Sequence, residues 1–272
     1  MLDRLWQKLR GQTRTTQSPI AATRPEEAPL AAEPAPQITR DAYIQSPLPI
    51  AEELAQLFQL DAPLVIFDIG SCEGEDSIRY ARSFPNSRIY AFEPLPANMA
   101  TLKRQVAAYG ATQVEAFPIA LSDERGTATF YVSSGAPEHL PNNENWDYGN
   151  KSSSLLPPGE VTDHHPWLKF DQAIEVKTDT LANFCDARGI DHIDLIHMDV
   201  QGAELKVLLG AGALLQQVKA IWLEIENVPL YEGQPLAPEM QAFMESQGFV
   251  KHKDTVSEIS GDHLYVRKDP AA

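Results

Sequence analysis

A short acidic turn that contains two glycines is the part of the sequence best suited to bind a small ligand. Residues 64–76 read LVIFDIGSCEGED, an apolar run followed by Gly70 and Gly74. The apolar run predicts a buried strand, and the glycines predict a tight turn into a helix. In an open α/β sheet this junction lies at the carboxyl end of a strand, where glycine lets a ligand approach the backbone. We therefore expect a ligand-binding site here.

The composition of this turn decides between two nucleotide-like ligands. A dinucleotide fingerprint needs the pattern G-x-G-x-x-G, because its middle glycine lets a pyrophosphate touch the backbone. The middle and last glycines of that pattern are missing here, and Asp68, Glu73, Glu75 and Asp76 surround the turn with negative charge. These carboxylates repel a diphosphate but attract the sulfonium and ammonium groups of S-adenosylmethionine. The turn therefore favours S-adenosylmethionine as cofactor, and an ordinary strand-to-helix turn without a ligand is the alternative.

Four residues of the turn are the first candidates for cofactor contact. Gly70 and Gly74 allow the methionine part of the cofactor to lie on the backbone beside Ser71. Asp68 either orients the turn or accepts a hydrogen bond from the cofactor ammonium group through water. The structural alternative for Asp68 is a cap of the turn or helix.

The ends of the next two predicted strands supply the other cofactor candidates. Glu93 ends the second strand, where a carboxylate can accept hydrogen bonds from both ribose hydroxyls. The segment from Ala120 to Asp123 ends the third strand, and we expect it to flank the adenine. A solvated strand end at Glu93 and a plain turn at 120–123 are the alternatives.

Methyl transfer from a sulfonium needs an acceptor held in line and, for a hydroxyl acceptor, a base that takes its proton. Asp199 ends the fourth predicted strand, and His197 shares its face because strand side chains alternate with a period of two. A histidine beside an aspartate can titrate near neutral pH, so we predict that this pair is the base. A buried structural hydrogen bond is the alternative. Glu224 and Glu226, on the fifth strand, are further candidates for binding the acceptor hydroxyl.

The elements that position these residues follow a strand–helix repeat. The predicted strands cover residues 64–69, 88–92, 114–119, 193–198, 220–225, 249–253 and 263–267. Helical patterns separate the early strands, and this β-α-β-α-β order requires a parallel sheet with right-handed crossovers. The fold class predicted from the residues is therefore α/β.

Two parts of the chain depart from this repeat. Residues 1–45 are predicted to be a disordered tail. The stretch from residue 15 to about residue 45 is rich in Pro, Ala, Thr and Glu, so it has too few large apolar residues to offset the conformational entropy lost on folding. Within the tail, residues 1–14 have the spacing of a short amphipathic helix that could touch a membrane surface or a partner. Residues 133–173 form a long insertion whose aromatic residues argue against disorder, so we predict a lid. The folded domain then covers residues 46–272.

Composition excludes several classes of protein. The formal net charge of −16 argues against a nucleic-acid binder or a polybasic membrane anchor and favours small or neutral substrates. No apolar run approaches the roughly 18 residues that span a bilayer. The two cysteines, Cys72 and Cys185, lie far apart, and no His, Cys, Asp or Glu cluster has metal-ligand spacing. We therefore expect a cytoplasmic protein with reduced thiols and no metal centre.

Several segments, taken together, resemble the FkbM-type family of S-adenosylmethionine-dependent methyltransferases. These segments are VIFDIGSCEGEDS at 65–77, AFEP at 91–94, ALSDERGTATFYV at 120–132, SSSL at 152–155, LIHMDVQGAELKVLLGA at 195–211 and EIENVPLYEG at 224–233. The resemblance implies a class I methyltransferase fold, which is Rossmann-like, with a mostly parallel seven-stranded sheet, flanking helices and a final antiparallel strand. It also implies O-methylation of a hydroxyl on a saccharide or natural product.

The chain departs from the family pattern at two positions. His197 stands where a basic residue, often lysine, is common, and Ile119 stands where asparagine often precedes A-L-S-D, a position that concerns the adenine contacts. We predict a methyltransferase that acts on a hydroxyl of a saccharide or secondary metabolite. The alternatives are an N-methyltransferase, an NAD(P)-dependent oxidoreductase, which would need the missing glycines, and a binding module that keeps the fold without catalysis.

Overall fold

A seven-stranded sheet forms the centre of the computed structural model, which describes residues 39–268. The strands are β1 (Val65–Ile69), β2 (Arg88–Phe92), β3 (Val114–Phe117), β4 (Ala120–Leu121), β5 (Gly126–Gly135), β6 (Leu168–Asp179), β7 (Ile193–Met198), β8 (Val218–Glu226), β9 (Phe249–Asp254) and β10 (Ser260–Arg267). The helices are α1 (Arg40–Gln45), α2 (Ala51–Leu57), α3 (Glu75–Ser83), α4 (Pro96–Ala108), α5 (Val161–His164), α6 (Leu181–Asp186), α7 (Glu204–Ala211) and α8 (Ala237–Ser246).

The order of strands across the main sheet is β3-β2-β1-β7-β8-β10-β9. Neighbouring strands are parallel except at β10, which is antiparallel to both β8 and β9. This confirms the α/β class and the mostly parallel seven-stranded sheet. The third strand ends at Phe117, two residues earlier than predicted, because Pro118 has no N–H to give to a strand ladder.

Successive residues of the central strands enter two different hydrophobic clusters. Ile66 and Leu195 pack with Ile44, Leu54 and other residues of α1 to α3 on one face of the sheet. On the other face, strand residues such as Phe67 and Ile196 pack with residues of α6, α7 and α8. Because both faces are covered, these strands read as continuous apolar runs in the sequence.

The second sheet has three strands in the order β4-β6-β5. β5 and β6 pair antiparallel, with Phe130 opposite Ile174. Both strands extend into the predicted insertion, so the connection between them shortens from the predicted 133–173 to residues 136–167. This connection, called the insertion below, contains α5 and a 3-10 turn, Gly149–Lys151. It is folded against the domain, with Trp146 only 1% exposed.

The folded domain begins before residue 46, which corrects the predicted boundary of the tail. α1 lies within the predicted tail, and the Thr39 hydroxyl caps it by accepting a hydrogen bond from the Ala42 N–H at 3.2 Å. Ile44 is buried in the core, and the Arg40 guanidinium binds the Glu73 carboxylate. Local composition could not predict α1, because distant residues hold this short helix in place. The helix predicted at 1–14 and the tail up to residue 38 lie outside the described residues.

A truncation pair tests this boundary. A chain that begins at Thr39 should unfold with the same free energy as the full chain, because residues 1–38 carry no continuous apolar pattern. A chain that begins at Pro47 should lose about 3 kcal/mol or more, because it gives up the buried Ile44 side chain and the Arg40 ion pair. Urea unfolding followed by circular dichroism measures both. Equal stability of the two truncated chains would contradict the role of α1.

Candidate active site

A cleft lies where the glycine turn after β1 meets the ends of β2 and β7 and the insertion. The volume of the cleft, including the solvent space at its mouth, is about 520 Å³. Its lining includes Gly70, Glu93, Ala120, Lys151, Asp199 and Gln201. β1 lies between β2 and β7, at the point where the strand order reverses. Ligands of open α/β sheets bind at this point, outside the carboxyl ends of the strands. The cleft is therefore the candidate active site.

Of the four residues of the turn predicted to contact the cofactor, Gly70 lines the cleft. Its N–H donates to the Phe92 carbonyl at 3.0 Å, and its φ of +84° lies in the left-handed region. A Cβ atom at this position would lie 1.9 Å from the Asp199 carbonyl oxygen. Only glycine lets the ends of β1 and β7 approach this closely, so at Gly70 the turn presents its backbone to the cleft.

The other three predicted turn residues lie behind the wall of the cleft. The Ser71 hydroxyl donates to the Asp68 carbonyl at 2.7 Å. Gly74 precedes α3 with φ +88°, and a Cβ there would lie 2.9 Å from the Leu102 side chain of α4. Ser71 and Gly74 therefore shape the turn and its packing, and Asp68 orients the site from below. None of these three residues lines the cleft.

His197 pairs with Asp68 and not with Asp199 as predicted. The two residues lie opposite each other in the parallel register of β1 and β7, with His197 Nδ1 2.9 Å from Asp68 Oδ1. Both side chains are buried, and Asp68 also accepts from the Ser77 hydroxyl. Burial alone would lower the pKa of His197, but the hydrogen bond and charge of Asp68 raise it to about 9. A histidine that is protonated at neutral pH cannot accept a proton, so the pairing with Asp68 disfavours His197 as the base.

This ion pair predicts how stability depends on pH. Because folding raises the pKa of His197 from 6.5 to about 9, its stabilising effect is complete below pH 6.5 and disappears as the pH rises through 9. His197→Gln should therefore cost about 3 kcal/mol more at pH 6 than at pH 10. Urea unfolding across this range measures the difference. His192→Gln, at a more exposed histidine, is the matched control, and a pH-independent cost for His197→Gln would contradict the assignment.

Asp199 and Glu224 are brought together by a residue that the sequence did not single out. Gln201 Nε2 donates to Asp199 Oδ1 at 2.6 Å and to Glu224 Oε2 at 2.5 Å. Gln201 is held in the left-handed region, with φ +57°, and its carbonyl accepts from the Ser154 hydroxyl at 2.7 Å. The Tyr231 hydroxyl lies 2.8 Å from Gln201 Oε1. Three quoted segments, D-V-Q-G-A-E, S-S-S-L and E-I-E-N-V-P-L-Y-E-G, thus meet at one residue, Gln201.

The environment of Asp199 suits a carboxylate that exchanges a proton. Asp199 lines the cleft, and burial together with the charge of Glu224 raises its pKa well above the usual value. Glu226 is buried behind this pair, and burial with the charges of Glu204, Glu224 and Asp199 also raises its pKa. Glu226 does not line the cleft. Perturbed carboxyl groups beside a cleft are typical of acid–base sites.

Glu93 and Ala120 line the cleft, whereas Asp123 does not. Glu93 lines the cleft, its Oε1 accepts from the Leu95 N–H at 2.6 Å, and burial raises its pKa to about 8. Ala120 lines an apolar side of the cleft with Leu121. The chain then leads into β5, and Asp123 lies near the surface, 3.2 Å from Lys206 Nζ. The prediction that Asp123 contacts the cofactor is therefore not supported.

The insertion supplies polar side chains to the cleft that the sequence did not predict individually. Asn150 Nδ2 donates to Glu73 Oε1 at 3.2 Å and to Asn98 Oδ1 at 2.9 Å. Lys151 Nζ lies 3.0 Å from Glu75 Oε1. The one available signal was their position directly before the S-S-S-L segment. These contacts fasten the insertion to the glycine turn.

The lining of the cleft fits S-adenosylmethionine. A glycine backbone at Gly70, an acidic side chain at Glu93 and an apolar side at Ala120 would hold its amino-acid part, its ribose and its adenine. Residues 68–251 match the methyltransferase FkbM domain. The chain belongs to the FkbM methyltransferase family. It is therefore an enzyme that uses S-adenosylmethionine as methyl donor, which confirms the predicted function class and cofactor.

Relatives of this FkbM methyltransferase carry names consistent with the family. The chain is 32% identical over 189 residues to the 2-O-methyltransferase NoeI of Sinorhizobium fredii, covering 70% of this chain and 74% of NoeI. It is 28% identical over 197 residues to the methyltransferase sdnD of Sordaria araneosa, covering 68% of this chain and 73% of sdnD. The N-terminal domain of EvdMO1, solved with SAH bound, aligns over 84% of each chain with 12% identity and a TM-score of 0.43, a likeness too weak to interpret.

Two further observations concern the described part of this FkbM methyltransferase. Within residues 39–268, no group of three or more His, Cys, Asp or Glu side chains is arranged to hold a metal ion. No helix in the same range is long and apolar enough to cross a membrane.

Proposed function

We propose that this enzyme transfers the methyl group of S-adenosylmethionine to a hydroxyl of a saccharide or a comparable polyhydroxylated metabolite. The observation that carries the proposal is the Asp199–Gln201–Glu224 arrangement, with Asp199 in the wall of the cleft. A hydroxyl is a weak acid and needs a base as it attacks, whereas a neutral amine does not. The buried carboxyl pair therefore favours O-methylation over N-methylation.

The cofactor, when bound, supplies a methyl group on a sulfonium that is already activated. Gly70 and Glu93 would hold the methyl donor, and Asp199, in the wall of the cleft, would accept the proton of the acceptor hydroxyl. Gln201 holds Asp199 in place, and Glu224 keeps the pKa of Asp199 high enough to make it an effective base. The protein thus contributes position and one proton acceptor.

Two features support a small polyhydroxylated acceptor. Carboxylate and amide groups from Asp199, Gln201 and Asn150 line the cleft and can hydrogen-bond several hydroxyls. The net charge of −16 disfavours anionic polymers as substrates. NoeI, a 2-O-methyltransferase, supports a hydroxyl as acceptor, and the saccharide class follows the expectation from the family resemblance.

We further infer that the insertion acts as a lid and that the enzyme works in the cytoplasm. Asn150 and Lys151 connect the insertion to the glycine turn, so its release would open the cleft. Cys72 and Cys185 are free thiols, which suits a reducing compartment.

A methyl-transfer assay tests the acceptor class. With labelled S-adenosylmethionine and matched sets of sugars and amino sugars, we expect label in hydroxyl-bearing acceptors, with the methyl group located on oxygen by NMR. Label that enters only amines, with Asp199→Asn fully active, would overturn the proposal.

A further inference from the structure

One cationic side chain lies in the cleft where the insertion meets the glycine turn. Lys151 ends the 3-10 turn Gly149–Lys151 and lines the cleft together with Cys72 of the glycine turn. Among the residues that line this cleft, Lys151 is the one lysine or arginine. We propose that Lys151 binds the α-carboxylate of S-adenosylmethionine and so selects for cofactors that carry this group.

The contacts of Lys151 leave it able to bind a further anion. Its ammonium group lies 3.0 Å from Glu75 Oε1, 3.7 Å from Cys72 Sγ and 4.3 Å from the centre of the Trp146 ring. An ammonium group has three N–H donors, and of these contacts only the one to Glu75 is a strong hydrogen bond. The Lys151 side chain is 11% exposed, so its interaction with a ligand carboxylate would be only weakly screened by water.

Arg40 allows Lys151 to turn toward a ligand without leaving Glu75 unpaired. Arg40 Nε is buried, has no hydrogen-bond partner within residues 39–268, and lies 3.8 Å from Glu75 Oε1. A buried carboxylate that loses its only partner is costly, which would hold Lys151 in place. Because Arg40 Nε already lies 3.8 Å from the same oxygen, Glu75 keeps a cationic neighbour when Lys151 also binds a ligand.

The charges of the cleft leave one place for the cofactor carboxylate. Glu93 and Asp199 suit the ribose hydroxyls and the positive groups of the cofactor, and neither offers a cation to a carboxylate. Ala120 and Leu121 are apolar and suit the adenine. The amino-acid part would lie on the glycine turn, and Lys151 is beside that turn through its contact with Cys72. The cofactor carboxylate therefore has its favourable partner at Lys151.

The alternative is that Lys151 only fastens the insertion to Glu75, and a pair of ligands separates the two roles. S-adenosylmethionine and its decarboxylated analogue differ in the α-carboxylate. By isothermal titration calorimetry, the full-length protein should bind S-adenosylmethionine about 10- to 100-fold more tightly than the analogue, as expected for a charge-assisted hydrogen bond. Lys151→Met, which keeps an apolar stem on Trp146, should lose this preference, and Lys151→Arg should retain most of it.

Each outcome of this comparison decides the proposal. A loss for S-adenosylmethionine alone, with the analogue unchanged, supports carboxylate binding, and Lys206→Met, at a more exposed lysine paired with Asp123, should behave as wild type. An equal loss for both ligands would assign Lys151 to fastening only and overturn the proposal. If Lys151→Met does not fold, the wild-type protein still decides, because equal affinity for the two ligands overturns the proposal as well. No acceptor is used, so the result is independent of the proposed acceptor class.

Discussion

Glu93→Gln is expected to weaken the binding of S-adenosylhomocysteine by about 30- to 100-fold at pH 9. A carboxylate that accepts hydrogen bonds from two ribose hydroxyls contributes about 2 to 3 kcal/mol, and the amide replaces one acceptor with a donor. Glu93 lines the cleft at the end of β2, so the substitution removes a ligand contact. Isothermal titration calorimetry or the ligand-induced shift in melting temperature measures the loss.

The pH dependence of binding separates this role from a general defect. Burial raises the pKa of Glu93 to about 8, so below pH 8 the free protein carries a protonated carboxyl that must lose its proton to accept both hydroxyls. Wild-type affinity should therefore fall by up to about tenfold per pH unit from pH 8 down to pH 6. The affinity of the Glu93→Gln variant should not fall in this way between pH 8 and pH 6. The affinity of the control variant Glu115→Gln, at an exposed glutamate, should fall as in wild type. Identical pH profiles for Glu93→Gln and wild type would sink the assignment.

Stability should change in the opposite direction to binding. Because folding raises the pKa of Glu93 from 4.5 to about 8, its favourable contribution to folding is complete below pH 4.5 and is lost as the pH rises through 8. Above pH 8 the ligand-free protein holds a buried charge, and Glu93→Gln removes it. The variant should therefore be at least as stable as wild type at pH 9, although it binds the cofactor poorly.

The sequence predicted the parts of the site that depend on one strand and the turn after it. Apolar runs located β1, β2 and β7, and the residues at their ends, Gly70, Glu93 and Asp199, do line the cleft. Periodicity works here because a buried parallel strand is apolar on both faces and its carboxyl end is marked by the turn.

The predictions that failed depend on contacts between distant segments. The partner of His197 is Asp68 on the neighbouring strand, and strand alternation cannot show which residue lies opposite in the register. Gln201 and Lys151 act through residues of the insertion and the glycine turn, far away in the sequence. The local composition of helix α1 indicates disorder, but packing against the core and the ion pair with Glu73 stabilise the helix. In each case tertiary contacts override a local pattern.

Asp199→Asn is expected to reduce the rate of methyl transfer by about 100-fold or more, the usual contribution of a general base. The asparagine Oδ1 can still accept from Gln201 Nε2, as Asp199 does at 2.6 Å, so the local geometry is kept. Cofactor affinity should change by much less than the rate. Single-turnover measurements with the acceptor found in the transfer assay isolate the chemical step from product release.

Glu224→Gln distinguishes which of the two carboxylates takes the proton. Burial and the charge of Glu224 raise the pKa of Asp199, so removing that charge should lower it again. The acidic limb of the pH–rate profile should then move to lower pH in Glu224→Gln, with a smaller loss of rate, whereas Asp199→Asn should abolish the limb. The opposite pattern, with the limb abolished by Glu224→Gln and only displaced by Asp199→Asn, would make Glu224 the base.

Stability measurements on the same samples exclude a structural explanation. Because folding raises the pKa of Asp199, its contribution to folding is most favourable at low pH and is lost as the pH rises through the folded pKa. Asp199→Asn should therefore unfold at neutral pH with a free energy equal to or above that of wild type. A loss of rate that is matched by a loss of about 1 to 3 kcal/mol in unfolding free energy would instead point to an unsatisfied buried partner. Loss of rate in a fully stable protein is the result that assigns the proton transfer to Asp199.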